Sequence, residues 1–226
     1  VIPARGGSKS IKNKNTIPLR GRPLIYYVIQ AALDSHIFDK IVISTDCPRI
    51  KVVAEVYGIE TIGRPLELAE DDSRIEDVIV DVLRKLPKHD YVQLLEPTCP
   101  LLQGADIIQA ANKLLDARAD MIISVCKSNA PIGVSAPLGD NGSMKGFVPS
   151  EIRRRNRQDI PEHYQLNSAI YMGKWDVFYN DLDYYEINTI AYIMRRDAVI
   201  HIDEGEDLIE AERILKRQEW AKAALG

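Results

Sequence analysis

The residues best equipped for chemistry stand at the start of the chain. Arg5-Gly6-Gly7-Ser8-Lys9 gathers two cations, a hydroxyl and two adjacent glycines, and Lys12, Lys14 and Asn15 follow closely. Neighbouring glycines let backbone N–H groups come close to an anion, while Arg adds a forked contact and Lys a point charge. A triphosphate would sit well in such a loop. A basic surface turn without a ligand has the same make-up, so both readings stand at this point. The spacing matches neither Walker A, which needs Gly-x4-Gly-Lys-Ser/Thr, nor the dinucleotide fingerprint Gly-x-Gly-x-x-Gly.

Three further segments carry carboxylates at the ends of β-like runs. Asp46, in Ser44-Thr45-Asp46, either faces a ligand or caps the helix that follows Pro48. Glu96, in Leu94-Leu95-Glu96-Pro97-Thr98-Cys99-Pro100, either orients a polar substrate or is a solvated turn carboxylate. Near the end of the chain, strand alternation puts His201 and Asp203 of Ile200-His201-Ile202-Asp203 on one face. Mg2+ is usually held by a carboxylate together with water and substrate phosphate oxygens, which makes Asp203 a candidate ligand. Glu206 and Asp207 are read instead as an acidic helix start, favoured by the helix dipole. His36, His89 and His163 have no partner at catalytic spacing, and Tyr179, Tyr184 and Tyr185 are read as packing a surface loop.

The elements that must position these groups follow from periodicity. Val1–Ala4, Ile41–Ser44, Tyr91–Leu95 and Met121–Val125 are short, mostly β-branched runs, as buried strands are. Helical patterns lie between them at Pro23–Ser35, Pro48–Tyr57, Ile75–Leu86 and Ala105–Ala117, the last with Ile107, Ile108, Ala111, Leu114 and Leu115 on one face. This alternation predicts an α/β fold with a mostly parallel sheet and helices on both faces. In such a sheet ligands bind beyond the carboxyl ends of the strands, where the opening loop, Asp46 and Glu96 all fall. Residues 127–165 are rich in Gly and Pro and carry the basic run Arg153-Arg154-Arg155-Asn156-Arg157. They read as an excursion, at about 130–165, from a single domain spanning 1–226. Ser168–Met172 and Ala198–Ile202 are expected as the last strands, and Leu208–Ala224 as a closing amphipathic helix.

The 226 residues are 46% hydrophobic and 27% charged, enough to bury a core without disulfide or metal staples. A net charge of −4, from 29 Lys+Arg against 33 Asp+Glu, argues against a general nucleic-acid binder. No apolar run approaches the roughly 20 residues of a membrane span, and Val1–Arg5 lack the design of a signal peptide. With no Met at the start, the numbered chain is expected to begin a few residues inside the natural one. Three widely spaced cysteines, Cys47, Cys99 and Cys126, fit neither a disulfide framework nor a metal site and suit a reducing cytoplasm.

Taken in order, these blocks resemble the cytidylyltransferases that activate sialic acid and related nonulosonic acids. The resemblance runs through Ile2–Lys9, Lys14-Asn15, Ser44-Thr45-Asp46, Arg64-Pro65-Leu66-Glu67-Leu68-Ala69 and Leu95-Glu96-Pro97-Thr98-Cys99-Pro100-Leu101. It continues through Arg157-Gln158, Asn167-Ser168-Ala169-Ile170-Tyr171 and Ile202-Asp203, nearly the whole chain. It implies a Rossmann-like nucleotidyltransferase fold and transfer of CMP from CTP to a nine-carbon 2-keto sugar acid, with pyrophosphate released. By match, Arg5, Gly7, Ser8, Lys9 and Lys14 would grip the nucleotide's phosphates, with Asn15 near the cytidine and Arg64 on the nucleotide side. Arg157 and Asn167 match sugar-acid positions, joined by Glu96 and Gln165, and Asp203 matches a Mg2+-binding carboxylate. Arg5, Lys9, His201 and Asp203 are the expected catalytic set. The resemblance also implies a homodimer, with the 130–165 extension reaching across.

Three positions depart from the family pattern. His201 replaces a usual Asp, and a neutral imidazole is a poor Mg2+ ligand, though it can act as a general base. Glu96 replaces a usual Gln, exchanging an amide for an acid. Gln165 stands where Arg is common, and both Glu96 and Gln165 fall on the sugar side, so the acceptor is expected to be N-acetylneuraminate or a relative of it. The rivals are an eight-carbon Kdo cytidylyltransferase, whose Gly-Asp-Glu-Pro block is missing here, and a non-catalytic nucleotide-binding homologue that has decayed at His201.

Overall fold

Short β-branched runs become strands, and the amphipathic stretches between them become helices. The computed structural model describes residues 1–128, 136–154, 162–195, 198 and 200–225. In chain order the strands are β1 (Ile2–Pro3), the hairpin strands β2 (Pro18–Leu19) and β3 (Arg22–Pro23), β4 (Val42–Thr45), β5 (Glu60–Gly63), β6 (Tyr91–Leu94), β7 (Met121–Lys127), β8 (Tyr164–Lys174) and β9 (Thr189–Met194). The helices are α1 (Ile25–Ser35), α2 (Pro48–Val56), α3 (Ile75–Leu83), α4 (Gly104–Asp116), the short α5 (Ser150–Arg153) and α6 (Trp175–Tyr179), and α7 (Gly205–Leu225).

The strands form a parallel set in the order β1-β4-β5 and a mixed set in the order β6-β8-β7-β9. Val1 joins the two. Its amine donates to Gln93 O at 2.7 Å and its carbonyl accepts from Leu95 N at 3.0 Å, the staggered pattern of a parallel pair. Among the described strands of this sheet, β8 is the one that runs against the rest, antiparallel to both β6 and β7. The expected mostly parallel α/β sheet is therefore the observed one.

Alternation along each strand sends side chains to two cores. Ile2, Ile43 and Ile122 meet Val28, Ile29 and Ala32 of α1, Ile50 of α2 and Ile107 of α4. On the other face Val92, Leu94, Met121 and Ile123 meet Ile79 and Leu83 of α3 and Phe178 of α6. A smaller cluster of Ile11, Leu19, Leu24, Ile202 and Ala211 packs α7 against the hairpin.

Ala198–Ile202 is not the last strand. That strand is β9, which pairs in parallel with β7 over Met121↔Thr189 to Cys126↔Met194. Ala198 N–H bonds Arg195 O in a turn, and Ile202 N–H bonds the turn residue Thr98, so this segment lies against a loop. β5 was not expected, because Glu60-Thr61-Ile62-Gly63 carries a single large apolar residue. Of the 130–165 excursion, the described part holds a 3-10 turn at Asp140–Gly142, the exposed α5 and, at its end, the first two residues of β8.

The middle of β8 is bent. Register shifts opposite Ser124, and Ser168 takes φ +56°, a left-handed conformation that a side chain disfavours. Ser124 fastens the bend from inside, donating to Asn167 Oδ1 at 2.5 Å and accepting from Ile170 N at 2.8 Å. Strand propensity would favour Val at position 168, but the backbone forbids it. We expect Ser168→Val to cost about 2 kcal/mol and Ser168→Gly to cost little. Urea unfolding of the two variants checks this, and equal stability would refute the strained bend.

Candidate active site

The opening loop leaves the sheet at β1 and is held on both sides. Ala4 N–H still bonds Ser44 O at 2.9 Å. Beyond it, Gly6 N–H donates to Asp46 Oδ1 at 2.9 Å, and Asn15 Nδ2 donates to Arg5 O at 2.9 Å. A Cβ on Gly6 would lie 2.9 Å from Cys47 Cβ, so the close approach of loop to strand end demands glycine. Asp46 is thus a loop clamp. It is not the cap of α2, whose first residue is preceded by Cys47 with no side-chain cap. Gly7 has open space around it, and the Lys9 side chain is 82% exposed.

Arg64 sits deeper than a surface ligand. It is 8% exposed, with Nε donating to Ser44 Oγ at 3.2 Å and Nη2 to Ser44 O at 3.1 Å. Burial pushes its guanidinium down to about 10, partly offset by the Asp46 carboxylate, so it remains a cation at neutral pH. Its charge stands at the end of β4, beside the loop that Asp46 clamps.

Across from the loop, distant parts of the chain converge. Lys14 Nζ donates to Ile202 O at 2.9 Å and to Asp203 Oδ1 at 3.1 Å. Ile202 N–H bonds Thr98 O at 2.9 Å, while Thr98 Oγ1 and His201 Nε2 share a hydrogen bond of 2.9 Å. The same His201 nitrogen lies 3.6 Å from Glu96 Oε2 and 3.7 Å from Asp203 Oδ1. Burial raises the Glu96 carboxyl to about 7, with the charge of Asp203 adding to the rise and the Thr98 hydroxyl and Lys14 opposing it. Burial also lowers His201, so its imidazole is neutral at pH 7.

An open cavity of about 830 Å3 adjoins this cluster, lined among others by Gln165, Asn167, His201, Asp203, Arg213 and Arg217. Asn167 is buried, its Oδ1 taken by Ser124 and Ala169 N, and its Nδ2 has no partner among the described residues. Arg213 is engaged by Glu210 through two hydrogen bonds of 2.6 and 2.7 Å. Asp207 caps α7, accepting from Asp203 N and Glu204 N, as an acidic helix start should. Another hollow, of about 480 Å3, opens where Val42 and Tyr91 begin their strands and holds none of the expected site residues.

The donor set suits Mg2+ in one specific way. Among the described residues no three His, Cys, Asp or Glu side chains converge as a cage. Asp203 is 67% exposed beside Lys14, a single accessible carboxylate that fits a cation sharing its shell with water and phosphate oxygens.

The family model for cytidylyltransferases matches residues 1–220. This chain belongs to the cytidylyltransferase family. It is 32% identical over 227 residues to the N-acylneuraminate cytidylyltransferase of Escherichia coli O18:K1:H7, covering 100% of this chain and 54% of that protein. A pseudaminic acid cytidylyltransferase of Campylobacter jejuni subsp. jejuni is 30% identical over 221 residues, 96% of this chain and 95% of that one. The chain thus spans about half the length of the first relative and nearly all of the second. Among solved structures, a CMP:2-keto-3-deoxy-manno-octonic acid synthetase complexed with CTP superposes with a TM-score of 0.76 at 18% identity, covering 96% of this chain and 97% of that one. A 4-diphosphocytidyl-2C-methyl-D-erythritol synthase from Anaerococcus prevotii gives 0.68 at 16%, over 95% and 96%. These two likenesses speak to the fold, a nucleotidyltransferase α/β sheet.

The expected residues fall into three groups. Arg5, Gly7, Ser8 and Lys9 are on the loop. Lys14, Glu96, His201 and Asp203 form the facing cluster, and Gln165 and Asn167 line the cavity with two of them. Asn15 and Arg64 brace the loop and the strand end through the bonds given above. Arg157 lies outside the described residues. Sequence reasoning missed Thr98, the hinge between Glu96 and His201, and the cavity arginines of α7. Thr98 sits inside a recognised block, so it was visible; Arg213 and Arg217 look like ordinary surface residues of a charged helix.

The buried Glu96 carboxyl makes stability depend on pH. Its folded value of about 7 exceeds the ordinary 4.5, so its contribution is complete below 4.5 and is lost as pH rises through 7. Between those limits the wild type should lose up to about 3 kcal/mol relative to Glu96→Gln. Urea midpoints measured for both proteins on either side of this window test it. Parallel pH profiles would mean that the carboxyl titrates in the folded protein as it does in the unfolded chain.

Proposed function

We propose that this family member transfers CMP from CTP to the anomeric hydroxyl of a sialic-acid-like nonulosonic acid and releases pyrophosphate. The observation that carries the reading is the opposition of the Arg5–Lys9 loop to the Lys14–Asp203–His201–Glu96 cluster at one edge of the sheet. Both curated relatives described above act, by name, on nine-carbon acids of this class, which supports the acceptor.

In this reaction the hydroxyl oxygen forms a bond to the α-phosphorus, and the bond to the bridging oxygen breaks. Such transfers need positioning and charge stabilisation more than covalent help. Arg5 and Lys9 would neutralise the leaving pyrophosphate, with backbone N–H groups at Gly7 and Ser8 cradling its oxygens. Arg64 adds fixed positive charge behind the loop. His201, neutral and hydrogen-bonded with Thr98, would accept the hydroxyl proton. Asp203 is the residue that would hold Mg2+, which when bound polarises phosphate oxygens. On the sugar side the unpartnered Asn167 Nδ2 can donate to an acceptor oxygen, with Gln165 and Glu96 tuning the pocket.

A pseudaminate-type acceptor is the second reading, favoured by near end-to-end coverage of the Campylobacter relative. The same proposal makes the protein a homodimer through the 130–165 extension and puts it in the cytoplasm, where CTP is made and cysteines stay reduced. Among the described residues no helix is long and apolar enough to cross a membrane.

The deciding assay is pyrophosphate release from CTP and Mg2+ with N-acetylneuraminate, a legionaminate, a pseudaminate, the deaminated sialic acid and Kdo. We expect release with one nine-carbon acid, and release with Kdo alone would overturn the acceptor class. With the true acceptor, Asp203→Asn should lower turnover by at least about 100-fold. Near-normal turnover of that variant at saturating Mg2+ would remove Asp203 from the metal site.

A further inference from the structure

The two cations of the opening loop are already engaged by an anion of the protein itself. Asp71 Oδ1 lies 2.7 Å from Arg5 Nη2, and Asp71 Oδ2 lies 2.9 Å from Lys9 Nζ. Arg5 Nη1 also donates to Ala69 O at 3.3 Å. One carboxylate thus bridges a guanidinium and an ammonium with its two oxygens, the way two phosphate oxygens would.

The segment that presents Asp71 is built differently from its neighbours. Glu70, Asp71 and Asp72 are exposed and lie in a turn between the 3-10 turn Leu66–Leu68 and α3. Behind them, Ser73 Oγ donates to Glu67 O, and Arg74 pairs with Asp181. These bonds anchor the two ends of the segment, leaving Asp71 and Ala69 to hold its middle to the loop through Arg5 and Lys9.

We propose that Asp71 is a built-in competitor for the triphosphate site, holding Arg5 and Lys9 until the phosphates of the nucleotide displace it and retaking them as pyrophosphate leaves. The inference rests on the reading of the opening loop as that site. Both partners of a cation cannot be accommodated at once without repulsion, because the phosphates and the carboxylate are like-charged and would share the same two donors. A polyphosphate carries several charges against one, so it wins the exchange when bound. Once the bond to the α-phosphorus is broken, the smaller product competes with a carboxylate tethered nearby, which raises the effective concentration of the competitor. Asp71 therefore weakens binding of substrate and product alike and hastens product departure.

Asp71→Asn removes the competing charge, and Asp72→Asn is the control. Asp72 is exposed next door and makes no ion pair among the described residues, so it carries the same net-charge change without the bridge. Calorimetric titration with CTP and with inorganic pyrophosphate, in EDTA, should show binding to Asp71→Asn about threefold to tenfold tighter than to wild type, the range of one or two exposed ion pairs. Asp72→Asn should bind as wild type does. Amide exchange over 69–73 should rise when CTP binds the wild type and should already be raised in free Asp71→Asn. Equal or weaker binding by Asp71→Asn overturns the competitor, and weakening confined to buffers with Mg2+ would make Asp71 a metal ligand instead. Equal tightening in both variants would reduce the effect to net charge and also overturns it. Failure of the wild type to bind either CTP or pyrophosphate overturns the triphosphate reading, and the competitor falls with it.

Discussion

The site depends on one short bridge between chain segments far apart in sequence. Ile202 N–H bonds Thr98 O, and Ile202 O accepts from Lys14 Nζ. The backbone of a single buried residue thus ties the 96–98 turn, the opening region and the start of α7 together. Ile202 is fully buried against Leu24 and Ala211, so the bridge is locked by apolar packing and not by exposed charge alone. His201 and Asp203, on either side of it, are thereby carried to Glu96 and Lys14. Without that bridge the facing half of the site would have no fixed geometry.

Electrostatics at the sheet edge run against the composition of the whole chain. The protein is net negative, yet Arg5, Lys9, Lys14 and Arg64 gather at the ends of neighbouring strands. Each is matched by a carboxylate within reach: Asp71 for the first two, Asp203 for Lys14, and Asp46 acting on Arg64 at longer range. Exposed pairs of this kind are individually weak and screened by salt. They keep like charges from splaying the loop apart while leaving the cations able to exchange partners. The buried members behave differently, because Arg64 has backbone and hydroxyl acceptors that no ligand needs to replace.

What the sequence made legible follows from contiguity. The loop glycines and cations are adjacent, and α1 to α4 announce themselves by periodicity, so these were read nearly as they stand. Two edges were not. Thr189–Met194 follows an irregular tyrosine-rich stretch, and the alternation in Ile200-His201-Ile202-Asp203 imitates a strand closely enough to take its place. The shared face of His201 and Asp203 is observed, their side chains 3.7 Å apart, but the segment is not a strand and its partner is a turn. Thr98, buried between Glu96 and His201, could not be assigned a role until the chain had folded, since its two contacts are 2 and 103 residues away. The left-handed Ser168 was invisible for a related reason: the bend is imposed by Ser124 from the neighbouring strand.

Glu96 and His201 illustrate why departures from a family pattern should be weighed in space. Taken one by one, against the pattern the resemblance implies, the first would add an acid and the second would remove one. In the fold the two side chains are 3.6 Å apart and share Thr98, so the substitutions touch one another. By the resemblance, the two departures would offset one another, with one carboxylic acid lost beside Asp203 and one gained on the facing turn. Burial makes the gained acid hold its proton near neutral pH, so charge would not be conserved even though the functional group is. A protonated carboxyl offers an O–H donor beside a carbonyl acceptor, where a glutamine amide offers two N–H donors beside its carbonyl. Protonated, Glu96 keeps the donor and acceptor character of a glutamine side chain, while His201 Nε2 shares its 2.9 Å hydrogen bond with Thr98 Oγ1.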